Sequence, residues 1–285
     1  RFFNSLTTGL NYFLSSDETQ SLSTDPRSPN FRGPTLAAQK NSGYGLAMAW
    51  EPRAKLKVSL DYQSNTYSKD SAKSTAKDKA YRLEFRWDRS LFKFKTFYQR
   101  AGPQFVSFGA PSVVGDRMTY NAQLGVFPAA WYNVSVGGDQ YQDNLANDPN
   151  KTTTMQRIVN MTHSLQLPTA TNVSLNGSLN LVKGKPRTAL DNQTTTIGLA
   201  VAQTIKKHSV SINAQSSQFR DKNRLAHDLD TTTVGLSSNF RLPRNRGAAL
   251  GVTSSETKDR FDGSKRTSQS LGPSLTLPIR SDTLL

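Results

Sequence analysis

From Gly43 to Trp50 the chain reads Gly-Tyr-Gly-Leu-Ala-Met-Ala-Trp, with a large apolar residue at every second position and a small one between. The same beat returns in 55–62, where Leu56, Val58, Leu60 and Tyr62 alternate with Lys55, Lys57, Ser59 and Asp61. It returns again in 80–88, where Tyr81, Leu83, Phe85 and Trp87 alternate with Arg82, Glu84, Arg86 and Asp88. A side-chain period of two is that of a β-strand with one apolar face and one wet face. The aromatic residues add a second constraint. Tyr44, Tyr62, Tyr81 and Tyr98 fall toward one end of successive strands, and Trp50, Trp87 and Trp131 toward the other. Two aromatic bands one strand length apart are what a sheet needs where it crosses the two water interfaces of a membrane.

Composition points the same way. Only 35% of the 285 residues are hydrophobic, less than a soluble domain of this length normally spends on its core. The polar residues are patterned rather than repetitive, which argues against disorder. A barrel with a wet interior resolves the conflict, because only its outward face must be apolar. No apolar run approaches the ~18 residues of a membrane-spanning helix. The chain has no cysteine, so disulfides and thiolate metal sites are excluded. It opens at Arg1 without Met or a signal peptide, and we read it as a mature or excised segment.

The strands expected from this pattern number about fourteen: 5–14, 43–51, 55–64, 80–88, 91–100, 117–127, 131–140, 152–167, 172–183, 192–205, 208–218, 230–242, 247–256 and 267–280. Their connections alternate in length. Tight ones at 52–54, 89–90, 128–130, 168–171, 206–207 and 243–246 alternate with long polar ones, such as 15–42, 65–79 and 101–116. That sorting is the layout of an outer-membrane barrel, with turns on the periplasmic side and loops outside. The expectation is one all-β domain over 1–285, an antiparallel up-and-down transmembrane β-barrel. Loop 15–42 is long enough to fold inward as a constriction. Loop 101–116 carries Phe105, Val106, Phe108, Val113 and Val114, so it either tucks into the barrel mouth or packs on a protein partner.

The segment Gly-Pro-Gln-Phe-Val-Ser-Phe-Gly-Ala-Pro (102–111), followed by Gly115-Asp116-Arg117 opening a strand, resembles hairpins of bacterial outer-membrane β-barrel proteins of the porin-like superfamily. The likeness continues through Leu124–Pro128, Val136–Asp139 and Asp143–Leu145, about 45 residues in all. It implies a barrel in a bacterial outer membrane and carries over no catalytic residue. One departure concerns the end, which runs Leu277-Pro-Ile-Arg280 to Leu285 without a terminal Phe or Trp. An excised segment or a different C-terminal signal is expected from that.

The net charge of +15 is spread over strands, turns and loops, with no basic helix or nucleic-acid motif, so nucleic acid is not expected as a partner. His163, His208 and His227 show no metal-ligand spacing. His163 shares parity with Val159, Met161, Leu165 and Leu167, where a membrane lipase would place its base. The next strand turns Ser174 and Ser178 the other way, so no nucleophile is in phase. No catalytic residue, metal ligand or cofactor site emerges, and the chain is read as a non-enzyme. What remains is a polar wall. By parity Lys55, Lys57, Arg82, Arg86, Lys93, Lys95 and Arg117 face inward against Asp61, Glu84 and Asp88, while later strands present Thr, Ser, Asn, Gln and Gly. The expectation is a porin-like channel for small hydrophilic, preferentially anionic solutes. The alternative is a structural barrel, the membrane sleeve of a larger secretion or electron-conduit complex.

Overall fold

A computed structural model describes residues 6–16, 39–68, 75–106, 113–186, 189–243 and 246–276. Fourteen strands run through them: β1 (Leu6–Ser16), β2 (Lys40–Arg53), β3 (Leu56–Ser68), β4 (Thr75–Asp88), β5 (Phe92–Ala101), β6 (Arg117–Ala129), β7 (Tyr132–Asp143), β8 (Thr153–Leu167), β9 (Thr171–Lys185), β10 (Asp191–Ile205), β11 (His208–Asp221), β12 (Leu229–Leu242), β13 (Arg246–Asp259) and β14 (Lys265–Thr276). Each strand hydrogen-bonds its neighbours in sequence, in the order β1 to β14. The fold class is therefore all-β, antiparallel and up-and-down, as the alternation of side chains requires. Connections of two or three residues at 54–55, 89–91, 130–131, 168–170, 206–207 and 243–245 alternate with longer ones, so one end of the strands carries tight turns and the other the long loops. The loop 15–42 expected to fold inward lies largely outside the described residues.

Two compact units are resolved. The first holds β1–β4, β5 from Lys93 on, and the loop-side parts of β6, β7 and β8; the second holds Phe92, the remainder of β6, β7 and β8, and β9–β14. In the first unit the register places like beside like. Leu46 pairs with Tyr62, Met48 with Leu60 and Trp50 with Val58. These continue into Tyr81, Leu83 and Phe85 on β4, and Leu83 and Trp87 meet Tyr98 and Phe94 on β5. In the second unit Leu175, Leu199, Ala214 and Val234 form one continuous cross-strand row, and Val173, Val201, Ile212, Leu236, Val252 and Leu271 another. A one-residue slip anywhere would throw each apolar set onto the opposite face, which is why the pattern fixes the register.

Among the described residues, the large side chains of these apolar faces stand exposed. Leu10 is 85% exposed, Ile197 59% and Ile212 53%. The buried hydrophobic residues among those described are Ala80, Ala101 and Phe105. A soluble protein of this size hides most of its Leu, Ile and Val, whereas here the large apolar side chains stand outward on an open face.

The small buried cluster explains the connection after β5. Phe105 folds back onto Ala80 and Ala101, with Val113 packed against them. Ala80 and Ala101 are register partners on the polar face of the first unit. The main chain is tied down at several points. Gly102 N donates to Lys79 O at 2.9 Å, and Asp116 N donates to Gly102 O at 2.8 Å. Gln104 N donates to the Asp78 carboxylate at 2.7 Å. The Asn41 amide donates to Val106 O at 2.6 Å, and the Asn65 amide donates to the same oxygen. A Cβ at Gly102 would lie 1.9 Å from Asp78 Oδ1, so a larger residue there would push the Asp78 carboxylate off its hydrogen bond to Gln104 N. Of the two fates expected for this loop, Phe105 and Val113 take the inward one; Phe108 lies outside the described residues.

Candidate functional site

The polar face of the first unit is built by three adjacent strands. β3, β4 and β5 bring Lys57, Arg86 and Lys95 into one cross-strand row. The next row toward the loops is Ser59, Glu84 and Phe97, and the next is Asp61, Arg82 and Gln99. Lys93 stands opposite Asp88. Five of the seven cations expected on this wall thus share it. Arg117 opens β6 and lies over the Tyr141 ring, 4.4 Å from its centroid. Lys55 does not belong to the wall. It occupies the β2–β3 turn with φ of 69°, because a two-residue connection demands a left-handed residue there.

Ion pairing divides the remaining charges. Arg82 Nη2 lies 2.8 Å and Lys95 Nζ 3.4 Å from the Glu84 carboxylate, and Arg86 Nε lies 2.7 Å from Asp88. Arg82 also donates to Gln99 Oε1 at 3.2 Å and stacks 3.9 Å above the Phe97 ring. Half-exposed pairs of this kind are worth about 0–1 kcal/mol, so their effect is on the local field and on side-chain position rather than on stability. Beside them β1 and β2 contribute Gly9, Ala47 and Ala49, small residues that leave a hollow of about 420 Å³. Lys57, Asp61, Glu84 and Arg86 form its charged wall. Mutual attraction holds the long side chains against the sheet while the small residues keep the space before them open.

The polar face of the second unit is neutral over most of its length. Hydroxyl pairs step across it: Thr196 with Ser217 at 3.2 Å, Ser211 with Ser237 at 2.6 Å, Thr233 with Ser255 at 3.0 Å, and Thr231 with Thr257 at 3.1 Å. Gln156 donates to Asn180 at 2.9 Å. The Asn213 amide lies over Gly235 on the partner strand, as the Asn11 amide lies over Gly45 in the first unit; a Cβ at either glycine would meet the amide oxygen within 2.4 Å.

On the apolar face the aromatic residues fall where the alternation placed them. Tyr44 contacts Tyr62 with centroids 6.4 Å apart, and Tyr81 contacts Tyr98 at 5.7 Å. Tyr12, opposite Tyr44, and Tyr120, 4.8 Å from Tyr98, extend this loop-side band and were not singled out by the sequence pattern. Trp50 and Trp87 sit six residues farther along their strands, about 20 Å toward the tight turns. Trp131 is in the β6–β7 turn, against Tyr132 at 5.9 Å. His163 pairs with the Tyr132 hydroxyl at 2.9 Å and stacks on its ring, a polar contact at the turn-side edge of the apolar face. His227 pairs with the Asp259 carboxylate and stacks on Phe261, joining two loops.

No family model matches the chain, and no curated protein matches it. Similar solved structures exist. OmpT, an outer membrane protein of Vibrio cholerae in its trimer form, is 11% identical with a TM-score of 0.45, over 93% of this chain and 95% of that one. An anion-selective porin from Comamonas acidovorans is 8% identical with a TM-score of 0.45, over 93% and 94%. The translocator domain of the autotransporter NalP from Neisseria meningitidis is 13% identical with a TM-score of 0.26, over 94% and 87%. All three are distant likenesses.

Proposed function

We propose that the fourteen strands form a porin-like channel in a bacterial outer membrane, passing small hydrophilic solutes with a preference for anions. The observation that carries the reading is the pairing of two unlike faces on one set of strands. One is covered in exposed Leu, Ile, Val and aromatic side chains; the other carries charges, amides and hydroxyls. Hydrocarbon is the solvent that suits the first and water the solvent that suits the second. Fourteen strands are enough for an interior wider than the packed lumen of an eight-stranded barrel. The anion preference rests on the row Lys57, Arg86 and Lys95, whose positive charge exceeds that of the acids beside it and lowers the barrier for negative solutes. The burial of Phe105 against its own strands favours a channel over a sleeve docked through that loop.

Planar-bilayer recording tests the proposal. The chain alone should give discrete conductance steps with an anion-selective reversal potential. The double variant Lys93→Glu and Lys95→Glu should shift that potential toward cations. A barrel that inserts and stays silent would overturn the channel, and an unchanged reversal potential would remove these two lysines from the conduction path.

A further inference from the structure

The loop-side ends of β4 and β5 show unambiguously which way their side chains point. Asp78 takes Gln104 N, and Ala80 and Ala101 lie beneath Phe105, so these three residues stand on the polar face. Side chains alternate along a strand, so Lys77, Lys79 and Arg100 stand on the opposite, apolar face, and all three are exposed. Register then fixes their neighbours. Arg100 pairs with Tyr81, which pairs with Tyr62. Lys79 pairs with Ser64, which pairs with Tyr44, and Lys77 pairs with Thr66. The three cations therefore step across β4 and β5 along the loop side of the tyrosine band. Lys77 and Lys79 are about 7 Å apart along their strand, and Lys79 lies on the diagonal from Arg100, about 7–8 Å away.

No acid stands among them. From the tyrosine band to the loop-side ends of β2–β5, every described position on this face is Tyr, Ser, Thr, Lys or Arg. Asp78, between the two lysines in the chain, points the other way, its carboxylate taken by Gln104 N and Lys79 N. At the loop end of the second unit, by contrast, the Arg220 guanidinium is met by Asp230 at 2.5 Å. Toward the tight turns the face becomes hydrocarbon, with Leu60 and Leu83 opposite one another and exposed. Apolar residues, then a tyrosine band, then cations is the profile of a membrane interface. The rings lie at headgroup level, and the long Lys and Arg stems carry their charges just beyond it. The counter-charge available at that depth is the phosphate of a lipid headgroup.

We infer that this strip is a docking surface for a phosphorylated lipid of the loop-side leaflet, its headgroup phosphates on Lys77, Lys79 and Arg100 and its acyl chains along Leu60 and Leu83. Arg100 offers a planar fork that matches two phosphate oxygens at once, and the lysines act as point charges. The Thr66 hydroxyl beside Lys77 adds a neutral hydrogen-bonding group. The partner is a lipid rather than a free phosphate ester because the cations continue directly into the apolar face, and one molecule has to suit both. The inference needs strands that span a membrane; it does not need them to conduct.

The test is a titration of the full chain, folded in a neutral detergent, with diphosphorylated lipid A, its dephosphorylated form and inorganic phosphate, read by native mass spectrometry. Lipid A should be retained in preference to both of the others. Lys77→Gln, Lys79→Gln and Arg100→Gln together should weaken it by about tenfold or more, since each cation near anionic headgroups contributes about fivefold. Lys206→Gln, Lys207→Gln and Arg241→Gln remove the same charge at the tight-turn end and should leave binding as it is. Far-UV circular dichroism confirms that each variant is folded, and Lys77→Gln with Lys79→Gln serves if the triple variant is not. The surface is overturned if lipid A is not retained, if the first triple variant holds it as well as the unaltered chain, or if both triple variants lose it alike. Equal retention of the dephosphorylated lipid, or inorganic phosphate bound as tightly as lipid A, would overturn it too. A silent bilayer with intact lipid A binding would sink the channel and leave this surface standing.

Discussion

The carboxylate of Glu84 receives both Arg82 and Lys95, so a single acid offsets two cations at the centre of the charged rows. Glu84→Gln should release both and sharpen the anion preference, moving the reversal potential away from the cation limit. Stability should change by about 1 kcal/mol or less, because the pairs are partly solvated. A reversal potential that stays put would mean that this wall does not face the conduction path. Parity alone placed Lys57, Arg82, Arg86, Lys93 and Lys95 on one face, since alternation is a local property of a strand. It failed for Lys55, whose position is decided by turn geometry and a left-handed backbone.

At the scale of the strand, the governing quantity is which side of the pleat a residue occupies. Leu199 is 45% exposed on the apolar face of β10, opposite Leu175 and Ala214. Thr196, three residues earlier, is on the other face, bonded to Ser217. Leu199→Arg should cost about 2–4 kcal/mol if that face meets the middle of a bilayer. Thr196→Arg should fold with much smaller loss, because its new charge reaches water. Urea titration of folding into lipid vesicles measures both, and equal costs would contradict the assignment of the faces. Element existence was legible because the period of two persists through nearly every strand, and the turns were legible from their shortness. The fate of the β5–β6 connection was open, since Phe105 and Val113 require a surface and the sequence does not say whose. The structure supplies it as Ala80 and Ala101, two small residues on the polar face that leave space for an aromatic ring.

For the molecule as a whole, the central claim is that hydrocarbon covers the faces on which Leu, Ile and Val stand exposed. The chain has no native cysteine, so single cysteines can be introduced and spin-labelled one at a time along β10. The measurement is the accessibility of each label, in lipid vesicles, to dissolved oxygen and to a water-soluble nickel complex. Labels at Ile197, Leu199 and Val201 should be reached by oxygen and shielded from nickel, while labels at Thr196, Gly198 and Ala200 should be reached by nickel, alternating residue by residue. Shielding from both reagents at Ile197, Leu199 and Val201, as for side chains packed in a protein core, would contradict the claim and take the channel with it.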